Sequence, residues 1–365
     1  MLKSPLHEAF AAAGAVFEER AGYAIARQTA AGIDAEVEMI RGGIGIWDHS
    51  DMGKLRISGD GARELLDRTV TGDIDGLPEN SIRYTLILDD SGRIVADVQV
   101  YNNFDEFLVT CNALKKDEVL AALNAANSDG VTIEDVTAKY AAICMEGPEA
   151  WRIPSALADL DIRSLRLLTF EQVTVAGVPS LLSRIGYCGE YGYVLLIPAE
   201  AAAEGLRQIL EQAPQAKLCG RAIQDLLRLE VRSFNLMKDV PKGESPLQAG
   251  LHWMINFQKP EFPGRDAILS ERDSALPRKL VAFECLAPVR QNQLDIVRDE
   301  SDSVGYIVNY DWSERRGRTI GLAYLNDPYG WPGLDLLAET PGGAVPIRTV
   351  SAPFIQAASN RVQVS

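Results

Sequence analysis

Histidine is scarce in this chain: His7, His49 and His252 are the only three among 365 residues. That scarcity excludes a His-rich metal site, and a Ser-His-Asp triad would have to be built on one of the three. The five cysteines, Cys111, Cys144, Cys188, Cys219 and Cys285, form no CxxC pair. Their odd number and wide spacing fit reduced thiols in a cytoplasm better than a disulfide scaffold. No apolar run reaches the roughly 18 residues that a membrane-spanning helix needs. The opening segment lacks the basic-then-apolar order of a secretion signal, because His7 and Glu8 break its alanine-rich run. Basic residues are in deficit, with 36 Lys and Arg against 51 Asp and Glu, a net charge of −15. Such a balance argues against nucleic acid as a partner. There is no Walker loop, no GxGxxG after a strand, no HExxH and no GxSxG.

What is present is the composition of a folded protein. Apolar residues make up 47% and charged residues 24%, ordinary values for a globular chain. The length exceeds what one core comfortably fills, so two or three domains are expected. Residues 4–14 read as a short amphipathic helix, followed by a polar stretch up to Gly42. Residues 54–58 read as a strand, and Gly59-Asp60-Gly61 opens a helix to Val70 whose Leu65, Leu66 and Val70 share one face. Residues 84–88 and 94–101 are strand-like and are joined by Asp89-Asp90-Ser91-Gly92, a hairpin turn by composition. A strand over 107–111 follows the Asn102-Asn103-Phe104-Asp105 turn, then a helix over 116–125 and a strand near 131–133. Residues 53–138 thus read as an α+β module with an antiparallel sheet covered on one face. Strands near 140–145 and 181–183 and helices near 201–212 and 221–231 come next. From Arg278 onward, short β-rich runs at 280–284, 303–309, 319–324 and 345–350 predict a small C-terminal β domain.

Two places attract chemical interest. His49 lies in Trp47-Asp48-His49-Ser50-Asp51-Met52-Gly53, a polar cluster beside an aromatic, whereas His252 beside Trp253 reads as an ordinary loop or helix residue. In the strand over 94–101, two-residue alternation puts Ile94, Ala96, Val98 and Val100 on one face. Val95, Asp97, Gln99 and Tyr101 share the other. Asp97 is therefore on the more polar face, either as a working carboxylate or as a solvated strand residue.

Five segments in order then carry a resemblance. Gly45-Ile46-Trp47-Asp48-His49-Ser50-Asp51-Met52-Gly53 stands against G-L-F-D-V-S-H-M-G. Tyr84-Thr85, the Asp-Ser-Gly turn and Ile94–Tyr101 stand against Y-T-x-x-x-N-x-x-G-G-I-x-D-D-x-I-V-Y. Ser183–Gly192, with Gly186-Tyr187-Cys188-Gly189-Glu190, stands against R-T-G-Y-T-G-E-D-G. Asp225–Glu230 and Ser245–Leu251 stand against R-D-x-L-R-L-E and P-x-E-A-G-L, and Ile320-Gly321-Leu322-Ala323-Tyr324 repeats I-G-L-A-Y. On these motifs, spread over nearly the whole chain, the sequence resembles the family of the glycine cleavage T-protein (aminomethyltransferase) and its tetrahydrofolate-dependent demethylase relatives.

The resemblance implies an α+β fold of three domains, a cloverleaf around a central hole with a C-terminal β-barrel-like domain. The domains would be residues 1–52 plus 139–240, residues 53–138 plus about 241–274, and residues 275–365. It implies tetrahydrofolate as cofactor and Asp97 as the carboxylate beside the reactive folate nitrogens. The family's preceding Asp is Ala96 here. Glu190 would accept two parallel donors from the pteridine edge, as a carboxylate does from Arg. Tyr84, Asn112, Arg184, Tyr187 and Arg228 are further folate-pocket candidates, although Arg228 reads equally as an ion-pair partner of Glu230 or Asp225.

The reaction class follows from what an amine such as N5 of tetrahydrofolate accepts: a methyl or methylene held in line at about 3–3.5 Å, with Asp97 stabilising positive charge. Departures from the family pattern bear on the donor. Asp51 and His49 replace family residues, and the Arg of R-D-x-L-R is Gln224. A rim of Trp47, His49, Asp51 and Met52 suits a small methylated donor: Asp51 and an aromatic face for a cation, or His49 as proton source for a leaving phenolate. A folate-dependent demethylase is therefore the first expectation. A T-protein served by a lipoyl carrier protein is the alternative. A third class, folate-binding iron–sulfur assembly proteins, carries K-G-C-Y-x-G-Q-E, which is matched here only by a displaced Cys188.

Overall fold

The computed structural model describes residues 1–104, 106–127, 130–157, 161, 164–289 and 294–362. Asp105, the last residue of one expected turn, lies outside them. The described chain divides into two compact units, one of residues 1–87, 96–224 and 357–365, the other of residues 88–95 and 225–356. No helix among the described residues is long and apolar enough to cross a membrane.

The first unit is α+β and contains a six-stranded sheet and all but three residues, Leu88, Ile94 and Val95, of the strands of a five-stranded one. Strands Gly53–Ser58, Ile82–Leu88, Ile94–Asn103, Glu106–Cys111 and Thr132–Asp135 make a five-stranded sheet in which Ile94–Asn103 lies between Ile82–Leu88 and Glu106–Cys111. The helices Ala62–Thr69 and Lys116–Ala126 pack on each other, with Leu65, Leu66, Val119 and Leu123 fully buried. The six-stranded sheet runs Phe170–Val175, Val178–Ser183, Gly192–Pro198, Tyr140–Glu146, Gly45–Asp48 and Lys217–Leu218. The helix Ala202–Gln212 covers it through Leu206 and Ile209, over a core that includes Ile46, Ile143, Leu195 and Ile197. Every strand of the first sheet falls within residues 53–138, and every strand of the second within 1–52 or 139–240.

The expected polar stretch before Gly42 is structured. Leu2–Lys3, Val16–Arg20 and Tyr23–Gln28 form a three-stranded sheet, and Ile33–Gly42 is a helix. The expected helix over 4–14 shrinks to His7–Ala12. The strand Tyr23–Gln28 hides from a hydropathy reading because its buried residues, Ala24, Ile25 and Ala26, are mostly small. The strands Phe170–Val175, Gly192–Pro198, Ile296–Asp299 and Asp335–Thr340 and the helix Arg265–Arg272 also go beyond the sequence reading.

The second unit holds a closed barrel of six antiparallel strands, Arg278–Cys285, Ile296–Asp299, Asp302–Ser313, Arg318–Asn326, Asp335–Thr340 and Gly343–Val350. Val281, Phe283, Val297, Ala323, Leu325, Ala338 and Ile347 fill its interior. Closure removes every free sheet edge from this domain.

Candidate active site

Asp97 sits mid-strand in Ile94–Asn103. The alternation holds, with Ala96, Val98 and Val100 buried on one face. The opposite face is covered as well, since Gln99 and Tyr101 are also buried, and Asp97 is half-buried rather than solvated. Tyr84, on the neighbouring strand Ile82–Leu88, donates its hydroxyl to Asp97 Oδ2 at 2.6 Å. Burial pushes the Cys111 thiol up to about 12, and the Asp97 charge adds to it. The Tyr187 phenol is likewise pushed up, first by burial, then by Cys144, Tyr101 and Asp97. The Tyr187 ring lies 5.6 Å from the His49 ring, tilted by 46°. Asp97, Tyr84, Tyr187 and His49 are thus one neighbourhood.

Tyr187 is held by the turn that carries it. The backbone doubles back so tightly that a Cβ on Gly192 would lie 2.6 Å from Gly186 Cα, and Gly189 adopts φ +78°, a left-handed conformation that favours glycine. Glu146, buried at the end of Tyr140–Glu146, accepts the amides of Tyr187 at 3.0 Å and Cys188 at 2.9 Å. Burial raises the Glu146 pKa, while the Cys188 thiol and these amides oppose the shift.

Glu190 is not turned to an open pocket. Its side chain and that of Arg41 are both 0% exposed and form an ion pair at 3.1 Å. Arg41 Nη1 also donates to the Cys188 carbonyl at 2.6 Å. Glu190 further accepts from the Ala358 amide at 3.2 Å, the Ser359 amide at 2.8 Å and the Ser359 hydroxyl at 2.7 Å. Four donors from the protein engage its two oxygens, so the expected clamp on a pteridine edge is not the arrangement found.

The loop after Gly45–Asp48 is built around buried charge. Asp48 accepts the Ser4 hydroxyl at 2.5 Å and the Ser50 amide at 2.8 Å. Lys54, fully buried, donates to the carbonyls of Ser50 and Met52 at 3.0 Å and Thr137 at 3.3 Å, and burial pushes its pKa down to about 8. Asp51 accepts Arg20 Nε at 2.8 Å and Arg221 Nη1 at 2.9 and 3.0 Å on its two oxygens. Burial alone would raise the Asp51 pKa, but Arg221, His49 and Arg20 outweigh it and hold it low. His49 is pushed down to about 3, by burial and then by Arg221. Neutral, it accepts the Gln224 amide at 2.5 Å on Nε2.

These facts correct the donor rim. Asp51 is bound to two arginines and does not face a cationic donor. His49 is a neutral, buried acceptor and no proton source for a leaving group. Trp47 is a core residue with no exposed surface, and its ring is 6.2 Å from that of His49. Met52 is half-buried, and its backbone amide donates to the His49 carbonyl. Asn112 Oδ1 accepts Arg20 Nη2 at 3.1 Å and caps the short 3-10 helix Ala113–Lys115. Arg184 donates to the Leu165 carbonyl at 2.8 Å and lies over the Tyr191 ring. Arg228 belongs to the second unit, where it pairs with Asp239 at 2.8 Å and Asp225 at 3.1 Å, while its Nη2 is buried without a hydrogen-bond partner among the described residues. The Cys188 thiol is buried and pushed well up, first by burial and then by Glu146, the reverse of what a reactive cysteine needs.

The N-terminal 70% of the chain carries the decisive match: residues 6–259 fit the GCVT N-terminal domain, and residues 278–356 fit the glycine cleavage T-protein C-terminal barrel domain. The chain belongs to the glycine cleavage T-protein family. It is similar to the aminomethyltransferase of Desulforamulus reducens, 30% identical and covering 96% of this chain and 97% of that protein. It is also similar to that of Rubrobacter xylanophilus, 33% identical, covering 98% and 95%. In fold it matches the glycine cleavage system aminomethyltransferase T of Bartonella henselae, with a TM-score of 0.89 at 21% identity over 98% of both chains. As a family member the chain is a folate-dependent one-carbon transferase, and the small-donor demethylase expectation gives way to aminomethyl transfer as the better-supported reading.

Residues that reading motifs alone did not single out shape this site of the T-protein family. Arg221 stands three residues before Gln224, close enough that scanning for a displaced arginine would have found it. Arg20, Arg41, Glu146 and Ser359 leave no local signal, because each meets its partner only through tertiary contact.

Proposed function

We propose that this chain transfers the carbon of an aminomethyl group from the dihydrolipoyl sulfur of a carrier protein to tetrahydrofolate, with Asp97 at the reacting centre. The C–S bond breaks to return the thiol, and ammonia leaves. The two folate N–H protons go to the thiol and the ammonia, and the carbon ends as a methylene joined to N5 and N10. The observation that carries the reading is the half-buried Asp97 carboxylate, oriented by the Tyr84 hydroxyl at 2.6 Å beside the Tyr187 ring. The neighbourhood fits a pteridine: a carboxylate to accept N–H donors, an aromatic ring beside it, and a neutral His49 that adds no competing charge. Tetrahydrofolate supplies the amine nitrogen that receives the one-carbon unit. Asp97 keeps a fixed negative charge where positive charge develops on carbon and nitrogen, which lowers the barrier without reorganisation. Tyr84 fixes the orientation of that carboxylate. Tyr187, carried on the glycine turn, walls the site and excludes water.

Ala96 supports this reading once its position is considered. It is fully buried on the strand face opposite Asp97. A second aspartate there would point into the core, so its loss leaves the Asp97 face intact. Gln224 in place of the family arginine is matched by Arg221, which keeps a guanidinium in the neighbourhood of His49.

The test is turnover with tetrahydrofolate by wild type and Asp97→Asn. One arm supplies aminomethyl-loaded lipoyl carrier protein. The others supply sarcosine, dimethylglycine, betaine, a dimethylsulfonium acid and a methoxybenzoate. Methylene-tetrahydrofolate from the carrier arm, reduced about 100-fold or more in Asp97→Asn, is the expected result. Methyl-tetrahydrofolate from a small donor, with no product from the carrier arm, would overturn the reading.

A further inference from the structure

The Glu190 contacts raise a question of their own: why is a carboxylate inside the glycine turn tied to the far end of the chain? Residues 357–362 lie in the first unit. This segment, which includes the short 3-10 helix Ala358–Arg361, meets the turn through five hydrogen bonds. Three are those that Glu190 accepts from Ala358 and Ser359. The other two run from the Tyr191 amide to Ser359 Oγ at 2.8 Å and from the Tyr191 hydroxyl to the Val362 carbonyl at 3.1 Å. Ser359 therefore donates its hydroxyl to Glu190 and accepts the next residue's amide with the same oxygen. On its other side Glu190 holds Arg41, and Arg41 holds the Cys188 carbonyl.

We propose that the segment 357–362 is a latch on the turn that presents Tyr187, and that Ser359 is a positioning residue for the folate site. A turn built on Gly186, Gly189 and Gly192 has little stiffness of its own. Glu190 has no exposed side-chain surface, and a buried carboxylate needs donors around its oxygens. Arg41 supplies one side and the latch supplies the other, so removal of the latch leaves a buried carboxylate half-satisfied. The turn then relaxes toward water, and the Tyr187 ring, on the residue next to the Cys188 carbonyl anchor, loses its fixed place beside Asp97 and His49. Ser359 acts through Glu190 and touches no substrate.

The consequence for folate rests on the folate reading given above; the latch itself does not. Two measurements keep them apart. Amide hydrogen exchange of the peptide spanning residues 185–191, read without folate, tests the latch. Tetrahydrofolate binding and turnover test its consequence. In Ser359→Ala, exchange in that peptide should quicken about tenfold. The KM for tetrahydrofolate should rise about tenfold, with kcat within about twofold, and Ser359→Thr should restore both. A chain ending at Gln356 should show the same effects more strongly. Exchange that stays at the wild-type rate in Ser359→Ala overturns the latch, whatever folate does. Faster exchange with unchanged KM overturns the positioning role, because the contact would then stabilise the turn without serving the site.

Discussion

At the scale of single residues, Asp97 and Asp51 show how environment separates two aspartates that look alike in sequence. Asp97 is half-buried with a phenol as donor, and Asp51 is locked between two guanidiniums at 1% side-chain exposure. The first can meet a ligand; the second is structural. Tyr84→Phe should lower kcat/KM about 10- to 100-fold, the value of a hydrogen bond to a charged group, while the melting temperature stays near wild type. Asp51→Asn should destabilise the protein by about 3 kcal/mol, because it leaves Arg20 and Arg221 facing each other without a counter-charge; denaturant unfolding measures it. The low pKa of Asp51 gives the sign with pH. Its stabilisation is present above the unfolded value near 3.8 and is lost as pH falls through the lower folded value.

At the scale of elements, the strand Ile94–Asn103 does the positioning. Its alternation was legible from spacing alone, and so was which side Asp97 would take. That the Gln99 and Tyr101 side is also covered was not legible, because the cover comes from distant residues such as Phe170, whose ring lies 5.4 Å from that of Tyr101. The same geometry makes Ala96→Asp, the change back to the family pattern, a destabilising one. It places a carboxylate on the core face and should cost about 2–4 kcal/mol with no gain in turnover. A stable, more active Ala96→Asp would show that this face is not the closed core described. The glycine turn was legible as a turn. Its attachment to residues 357–362 was not, since the partners are 168 and 169 positions apart.

At the scale of the whole molecule, acid stability should carry the signature of one buried histidine. The folded His49 stays neutral down to about 3, whereas the unfolded ring protonates near 6.5. Between those values the unfolded chain binds the extra proton, so falling pH favours unfolding, by at most about 1.4 kcal/mol per pH unit. His49→Gln removes this proton uptake. Denaturation midpoints measured from pH 6.5 to 4 should fall less steeply in the variant, and equal slopes would place the His49 ring in contact with water. The α+β class and the β-rich end were readable from patterning. Closure of the barrel and the division into two compact units depend on packing between segments that are remote along the chain.

The family, the strand that carries Asp97, the hairpin beside it and the glycine turn that carries Tyr187 are all readable in the chain before it folds. These are matters of local spacing, and spacing is written in the chain. Which charged side chains remain available to a ligand depends on contacts between distant segments. Asp51, Glu190 and Arg184 were all plausible ligands by motif, and each is held by partners that folding brings in from elsewhere. A carboxylate or guanidinium inside a protein must find an opposite charge or donors, and that search is settled by the fold, not by neighbours in sequence.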